Sequence, residues 1–315
     1  MNQHSGPASA VLSASIARRY YLDGHSKIEI AEEFGLSRFK VARLLETARE
    51  TGLVRIEIGH RGLIDVDLSA RVQARFHLRH AVVVDAKDDH PVSVRKHLGQ
   101  VAAELLAEVI GPEDVLGVAW SRSVGAMARA LPRLAAVPVV QLTGAVSMPD
   151  GDDSSIEIVR EVARAAGGPA YVFYAPFALP DASTARALRR QREVDLTFRQ
   201  LPRVTKAVVG LGLWAPGQST LYDTAMEHDR RALRRLGVCA EMSGVFLSED
   251  GKPVRSQLTE RMIGIDADQM RAIPEVIVIS YGMPKVPAAR AALRSGLVNG
   301  LVTHTAFAEA LLDTP

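Results

Sequence analysis

A chain of 315 residues, 47 % apolar and 23 % charged, has room for two domains with sizeable cores. No apolar run approaches the ~18 residues of a membrane-spanning helix, and the opening MNQHSGP has no basic stretch ahead of an apolar one, so a cytoplasmic protein with no membrane partner is expected. The single cysteine, Cys239, excludes an intrachain disulfide and cysteine-clustered metal centres. The net charge of +2 is concentrated: Met1 to Arg61 hold nine Lys and Arg against seven Asp and Glu, and the remainder balances at 29 of each. So small a surplus points only weakly to a polyanion, and the placement of the cations must decide.

From Ala8 to Leu22, Leu12, Ile16 and Tyr20 recur at helical spacing, and Asp23-Gly24 closes the segment with a turn. Ser26-Lys-Ile-Glu29 reads as a capping box opening a short second helix, which Gly35 ends. Ser37 caps a third helix, Arg38 to about Glu50, with Val41, Leu44, Leu45 and Ala48 as its apolar stripe. Three helices joined this tightly predict a helix-turn-helix, and the alternation in Leu53–Ile58 predicts a small wing strand beside it.

A connecting helix over Asp65–Leu78 leads into repeated pairs of one apolar strand and one amphipathic helix, the pattern of an open, mostly parallel α/β sheet. Strands are predicted at Ala81–Asp85, Val115–Trp120, Pro138–Leu142, Ala170–Tyr174, Lys206–Leu211, Glu275–Ser280 and Leu297–Val302. Helices are predicted at Val92–Ile110, Arg122–Leu134, Ser154–Ala166, Thr220–Leu236 and Lys285–Arg294. Leu68, Val72 and Phe76 fit either an association helix or a core helix. The domains are thus 1–60 and 61–315.

In a helix-turn-helix the second helix of the pair enters the major groove, and its outward side chains must offer donors to bases and phosphates. Arg38, Phe39, Lys40 and Arg43 face outward, Ser37 and the helix-end N–H groups suit a phosphate, and Lys27 is placed to clamp the backbone. Any solvated helix carries charges; here the capping box, glycine turn and second cap coincide. Phe39 fits a partly buried prop as well as a contact residue.

These residues carry a resemblance. Ala17-Arg-Arg-Tyr-Tyr-Leu-Asp-Gly24, Ile30-Ala-Glu-Glu-Phe-Gly-Leu-Ser-Arg38 and Val41-Ala-Arg-Leu-Leu45 resemble the DNA-binding head of bacterial SorC-family (DeoR-like) transcriptional regulators. Val118-Ala-Trp-Ser-Arg-Ser123, Gln141-Leu-Thr-Gly144, Gly210-Leu-Gly212, Gly244–Gly251 and Glu275–Leu312 follow in the order of that family's sugar-binding domain. The resemblance implies a large domain folded like sugar-phosphate isomerases and glucosamine-phosphate deaminases but acting as a sensor. It also implies operator DNA and a phosphorylated sugar as partners, with self-association as a dimer or tetramer. Ser121, Arg122, Ser123, Thr143, Gly144, Gly210, Gly212 and Lys285 match its ligand-facing motifs. Three positions depart from the family pattern: Ser121 stands where glycine is common, Ala240-Glu241 replaces Gly-Asp, and Thr303-His304 replaces Thr-Asp. Glu241 is expected to accept hydrogen bonds from sugar hydroxyls and His304 to add anion affinity.

The residues support the same site directly. In an open α/β sheet, ligands sit beyond the carboxyl ends of the strands. There Trp120-Ser-Arg-Ser-Val-Gly125 offers two hydroxyls, a guanidinium and a helix N-terminus suited to phosphate. The rival is a sugar-phosphate isomerase or deaminase-like enzyme fused to the head. No nucleophile elbow or zinc-protease motif supports catalysis, and His77 and His80 lack a third metal ligand at suitable spacing. The sequence therefore points to a regulator with no catalytic residues, no metal and no cofactor.

Overall fold

In the computed structural model of the chain, residues 6–54, 63–86, 90–146 and 154–313 are described. The chain divides into two compact units, 1–58 and 59–315.

The first unit holds α1 (Pro7–Tyr21), α2 (Lys27–Phe34) and α3 (Arg38–Glu50). Ser26 and Glu29 close the capping box reciprocally: the Glu29 N–H donates to Ser26 Oγ at 3.3 Å and the Ser26 N–H to Glu29 Oε2 at 2.7 Å. Gly35 ends α2 at φ +61°, a conformation that costs an L side chain energy, and turns the chain into α3. Ile16, Ala17, Ile30, Ala31, Val41 and Leu45 are buried together between the three helices. The wing strand expected at Leu53–Ile58 lies outside the described residues beyond Val54.

The strands of the second unit are β1 (His80–Val84), β2 (Leu116–Val118), β3 (Val139–Gln141), β4 (Ala170–Tyr171), β5 (Lys206–Gly210), β6 (Gly212–Leu213), β7 (Val238–Met242), β8 (Val245–Ser248), β9 (Pro253–Val254), β10 (Glu275–Ile279) and β11 (Gly300–His304). Seven form one sheet in the order β1-β11-β10-β5-β2-β3-β4, with every pairing parallel. The alternation of side chains across a strand explains the two cores: Ala207 and Val209 of β5 face one cluster, and Val208 between them faces the other.

The helices α4 (Val66–Phe76), α5 (Pro91–Val109), α6 (Arg122–Ala130) and α7 (Ser155–Ala166) precede β4. After it come α8 (Ala182–Arg189), α9 (Arg192–Phe198), α10 (Thr220–Thr224), α11 (Glu227–Arg235), α12 (Gln257–Glu260), α13 (Ala267–Arg271), α14 (Val286–Arg294) and α15 (Thr305–Leu312). Leu68 and Val72 of α4 are buried in the core of this unit, with Phe76 packed against it, so they serve the fold.

Three features differ from the sequence expectation. Helix α6 stops at Ala130 rather than Leu134, because Leu131 precedes Pro132 and is extended at φ −62°, ψ 126°. The helix expected over Thr220–Leu236 is two, α10 and α11, separated by extended Ala225 and Met226. A second, antiparallel sheet, β6-β7-β8-β9, has no counterpart in the expected strands.

Candidate functional site

The parallel order reverses between β2 and β5: β2 leads on to β3 on one side, while β5 pairs with its other edge. Loops leaving such neighbours diverge, and a crevice opens beyond their carboxyl ends. The cleft found there is lined by Trp120, Ser121, Arg122 and Ser123 after β2, Thr143 after β3, Gly210 to Gly212 where β5 passes into β6, Ile279 at the end of β10, and Tyr281 and Lys285 after it. Residues 217–221, Asp223, Glu241 and Ser243 close the opposite wall.

Each polar group is held by local geometry. Ser121 caps α6, its Oγ accepting the Val124 N–H at 3.0 Å and lying 3.0 Å from Ser123 Oγ. Arg122 therefore begins the helix, where the backbone dipole adds positive potential. Gly210 and Gly212 permit close approach: a Cβ on Gly210 would strike Ser121, coming within 2.6 Å of its Oγ, and one on Gly212 would fall 2.6 Å from Glu241 Oε1. Lys285 Nζ donates to the Leu211 carbonyl at 3.1 Å and lies 5.6 Å from the centre of the Tyr281 ring. Burial pushes the Lys285 ammonium below its ordinary range, against the pull of Glu241, and Arg122 pushes it the same way. Across the cleft, Ser219 Oγ donates to Glu241 Oε1 at 2.8 Å while itself capping α10.

Desolvation in the cleft raises the Glu241 carboxyl above its ordinary value of 4.5, outweighing the Ser219 hydrogen bond and the Lys285 charge. A carboxyl raised on folding contributes stability that is present below the unfolded value and lost as pH rises through the folded one. Glu241→Gln, which retains the acceptor oxygen, should therefore melt higher than the parent at pH 7–8, and the gap should close as the pH is taken below about 4.5. A melting-temperature difference independent of pH would contradict this environment for Glu241.

Of the ligand-facing residues expected from sequence, Ser121, Arg122, Ser123, Thr143, Gly210, Gly212, Glu241 and Lys285 line one cleft. Gly144 and His304 are not among its lining residues. Gly144 donates its N–H to the Ile263 carbonyl at 2.8 Å and packs on the backbone of Pro176 and Phe177. His304 ends β11, which β10 separates from β5; it is buried, with its ring 6.0 Å from that of Phe307. Sequence reasoning missed Phe177, Gln218, Ser219, Asp223 and Tyr281. A signal for Ser219 was available, since it precedes a short helix as a capping residue does.

In the first unit, Ser37 Oγ accepts the Lys40 N–H at 3.2 Å, and Ser37, Arg38, Phe39, Lys40 and Arg43 are all exposed. Lys27 is half-buried, its Nζ 5.5 Å from the centre of the Tyr20 ring.

The family model described as "Putative sugar-binding domain" matches residues 62–313. The chain belongs to the SorC family of sugar-binding transcriptional regulators. It is 30 % identical over 305 residues to the "Uncharacterized transcriptional regulator YjhU" of Escherichia coli K12, covering 93 % of this chain and 92 % of that one. It is 28 % identical over 320 residues to the transcriptional regulator LsrR of Klebsiella pneumoniae, at 99 % and 96 % coverage. The full-length sorbitol operon regulator SorC of Klebsiella pneumoniae has the same fold, with a TM-score of 0.74 at 22 % identity over 97 % of this chain and all of that one. As a SorC-family member, the chain pairs its helical head with the mostly parallel α/β sheet of the sugar-binding domain. Among the described residues no helix is long and apolar enough to cross a membrane.

Proposed function

We propose that this SorC-family chain is a cytoplasmic transcription regulator whose operator binding is modulated by a phosphorylated sugar held in the cleft of residues 61–315. The observation that carries the reading is the polarity of that cleft. Arg122 at a helix N-terminus, Ser121, Ser123 and Lys285 offer an anion subsite, and Glu241, Ser219 and Asp223 offer acceptors and a donor for hydroxyls. The domain senses its ligand and does not turn it over. Residues 1–60 are the DNA-binding head, a helix-turn-helix in which Lys27, Ser37, Arg38, Phe39, Lys40 and Arg43 meet the duplex. One short recognition helix covers too little surface for tight specific binding, so the operator is palindromic and the protein a dimer or tetramer.

The test is fluorescence anisotropy of the full chain on its own promoter DNA, titrated with salt and then with phosphorylated sugars. A salt-sensitive complex whose affinity shifts with one sugar phosphate is expected, and no complex under any condition would end the reading. Arg43→Ala should weaken binding by about 1–3 kcal/mol if a bidentate base contact is lost. Unchanged affinity would dismiss α3 as the reading helix.

A further inference from the structure

Phe39 is the most exposed of the large apolar side chains among the described residues, with 83 % of its surface accessible. It is the second residue of α3, whose first turn is fixed by the Ser37 cap. Val41, Leu45 and Ala48 turn into the core of the head. At 100° per residue, Phe39 and Arg43 share the opposite side, one turn apart. The phenyl ring takes no part in the apolar cluster between the helices, so it does not prop the fold. Single exposed apolar residues are ordinary on a protein surface. This one stands on a face with three exposed cations, Arg38, Lys40 and Arg43, which draws the helix toward a polyanion.

The chemistry of a duplex then narrows the role. The edges of the bases in the major groove present donors and acceptors, which a phenyl ring cannot satisfy, and one apolar group, the C5-methyl of thymine. Resting on the DNA-binding reading above, we propose that Phe39 is a specificity-determining residue whose ring packs against a thymine methyl in the major groove. Arg38 and Lys40 fix affinity and register on the phosphates, and the phenyl ring favours thymine at one position of each half-site.

The experiment takes the tightest duplex that the full chain selects from random-sequence DNA and exchanges each thymine singly for uracil, removing the methyl alone. At one position in each half-site the exchange should weaken the parent by about 4-fold, the value of one buried methyl. Phe39→Ala should bind the thymine duplex about 10-fold more weakly and should not distinguish uracil from thymine at that position. Phe39→Leu, which keeps an apolar contact, should retain part of the discrimination. Unchanged melting temperatures for both variants would show that the head remains folded. If no uracil exchange affects the parent, or if Phe39→Ala shows the same uracil penalty, Phe39 does not read the methyl, while salt-sensitive binding leaves the DNA-binding reading standing. Failure to select any salt-sensitive duplex would remove that reading and this one with it.

Discussion

Arg122→Ala should leave operator affinity intact and sharply reduce the response to a phosphorylated sugar. The guanidinium stands at the first residue of α6, where the helix end already favours negative charge, and Ser121 and Ser123 present hydroxyls on the same turn. A charge-assisted hydrogen bond contributes about 1.5–3 kcal/mol, so loss of Arg122 should weaken the ligand by about 10- to 150-fold. Binding exclusive to the folded state raises the melting temperature, and at concentrations that just saturate the parent that shift should be much smaller in the variant. Gly210→Ala supplies a second arm that keeps every charge. Its Cβ would collide with Ser121, the residue that caps α6, so the anion subsite must move or the strand end must yield. Ligand affinity should fall with the DNA interface untouched. An intact shift in Arg122→Ala would leave the phosphate to Lys285.

How much of this was legible in the sequence follows from the range over which each element is specified. The head is written locally: Ser26 and Glu29, Gly35, and Ser37 with Lys40 each act within four residues, so its helices stand where the spacing puts them. The parallel strands are legible as apolar runs because both faces of the sheet are covered, yet their ends shift; the last, expected at Leu297–Val302, runs from Gly300 to His304. The candidate cleft is visible as hydroxyls, glycines and cations at strand ends. Strand order is not, because nothing local says that β10 intervenes between β5 and β11. The antiparallel sheet was hidden for a related reason. Its strands are two to five residues long and gain their definition from partners elsewhere in the chain, although Val238–Met242 alternates buried and half-buried residues with the period of a strand.

Asp229→Ala should cost about 3–5 kcal/mol of stability, the penalty for leaving one member of a buried ion pair uncompensated. Arg261 Nη2 donates to both carboxylate oxygens of Asp229, at 2.7 and 2.6 Å, with side-chain exposures of only 11 % and 6 %. Arg261 Nη1 is already committed to the Leu179 carbonyl at 3.1 Å, so removal of the carboxylate strands a buried cation rather than freeing it to solvent. Domain stabilities of 5–15 kcal/mol make such a loss large, and the urea midpoint of residues 59–315 should fall accordingly. The double variant Asp229→Leu/Arg261→Met, which removes both charges, should recover most of the deficit. Recovery would assign the penalty to the stranded charge; equal loss in both variants would assign it to packing around α11. The consequence reaches the ligand. Arg261 leads into residues 263–265, where Ile263 accepts the Gly144 N–H and Ile265 donates to the Leu142 carbonyl, bracketing Thr143 in the cleft. Asp229 lies on α11, directly after the short helix capped by Ser219, the donor to Glu241. The pair thus ties the strand end that carries Thr143 to the carboxylate wall, so Asp229→Ala should weaken ligand binding without touching a ligand contact, and the apolar double variant should restore it.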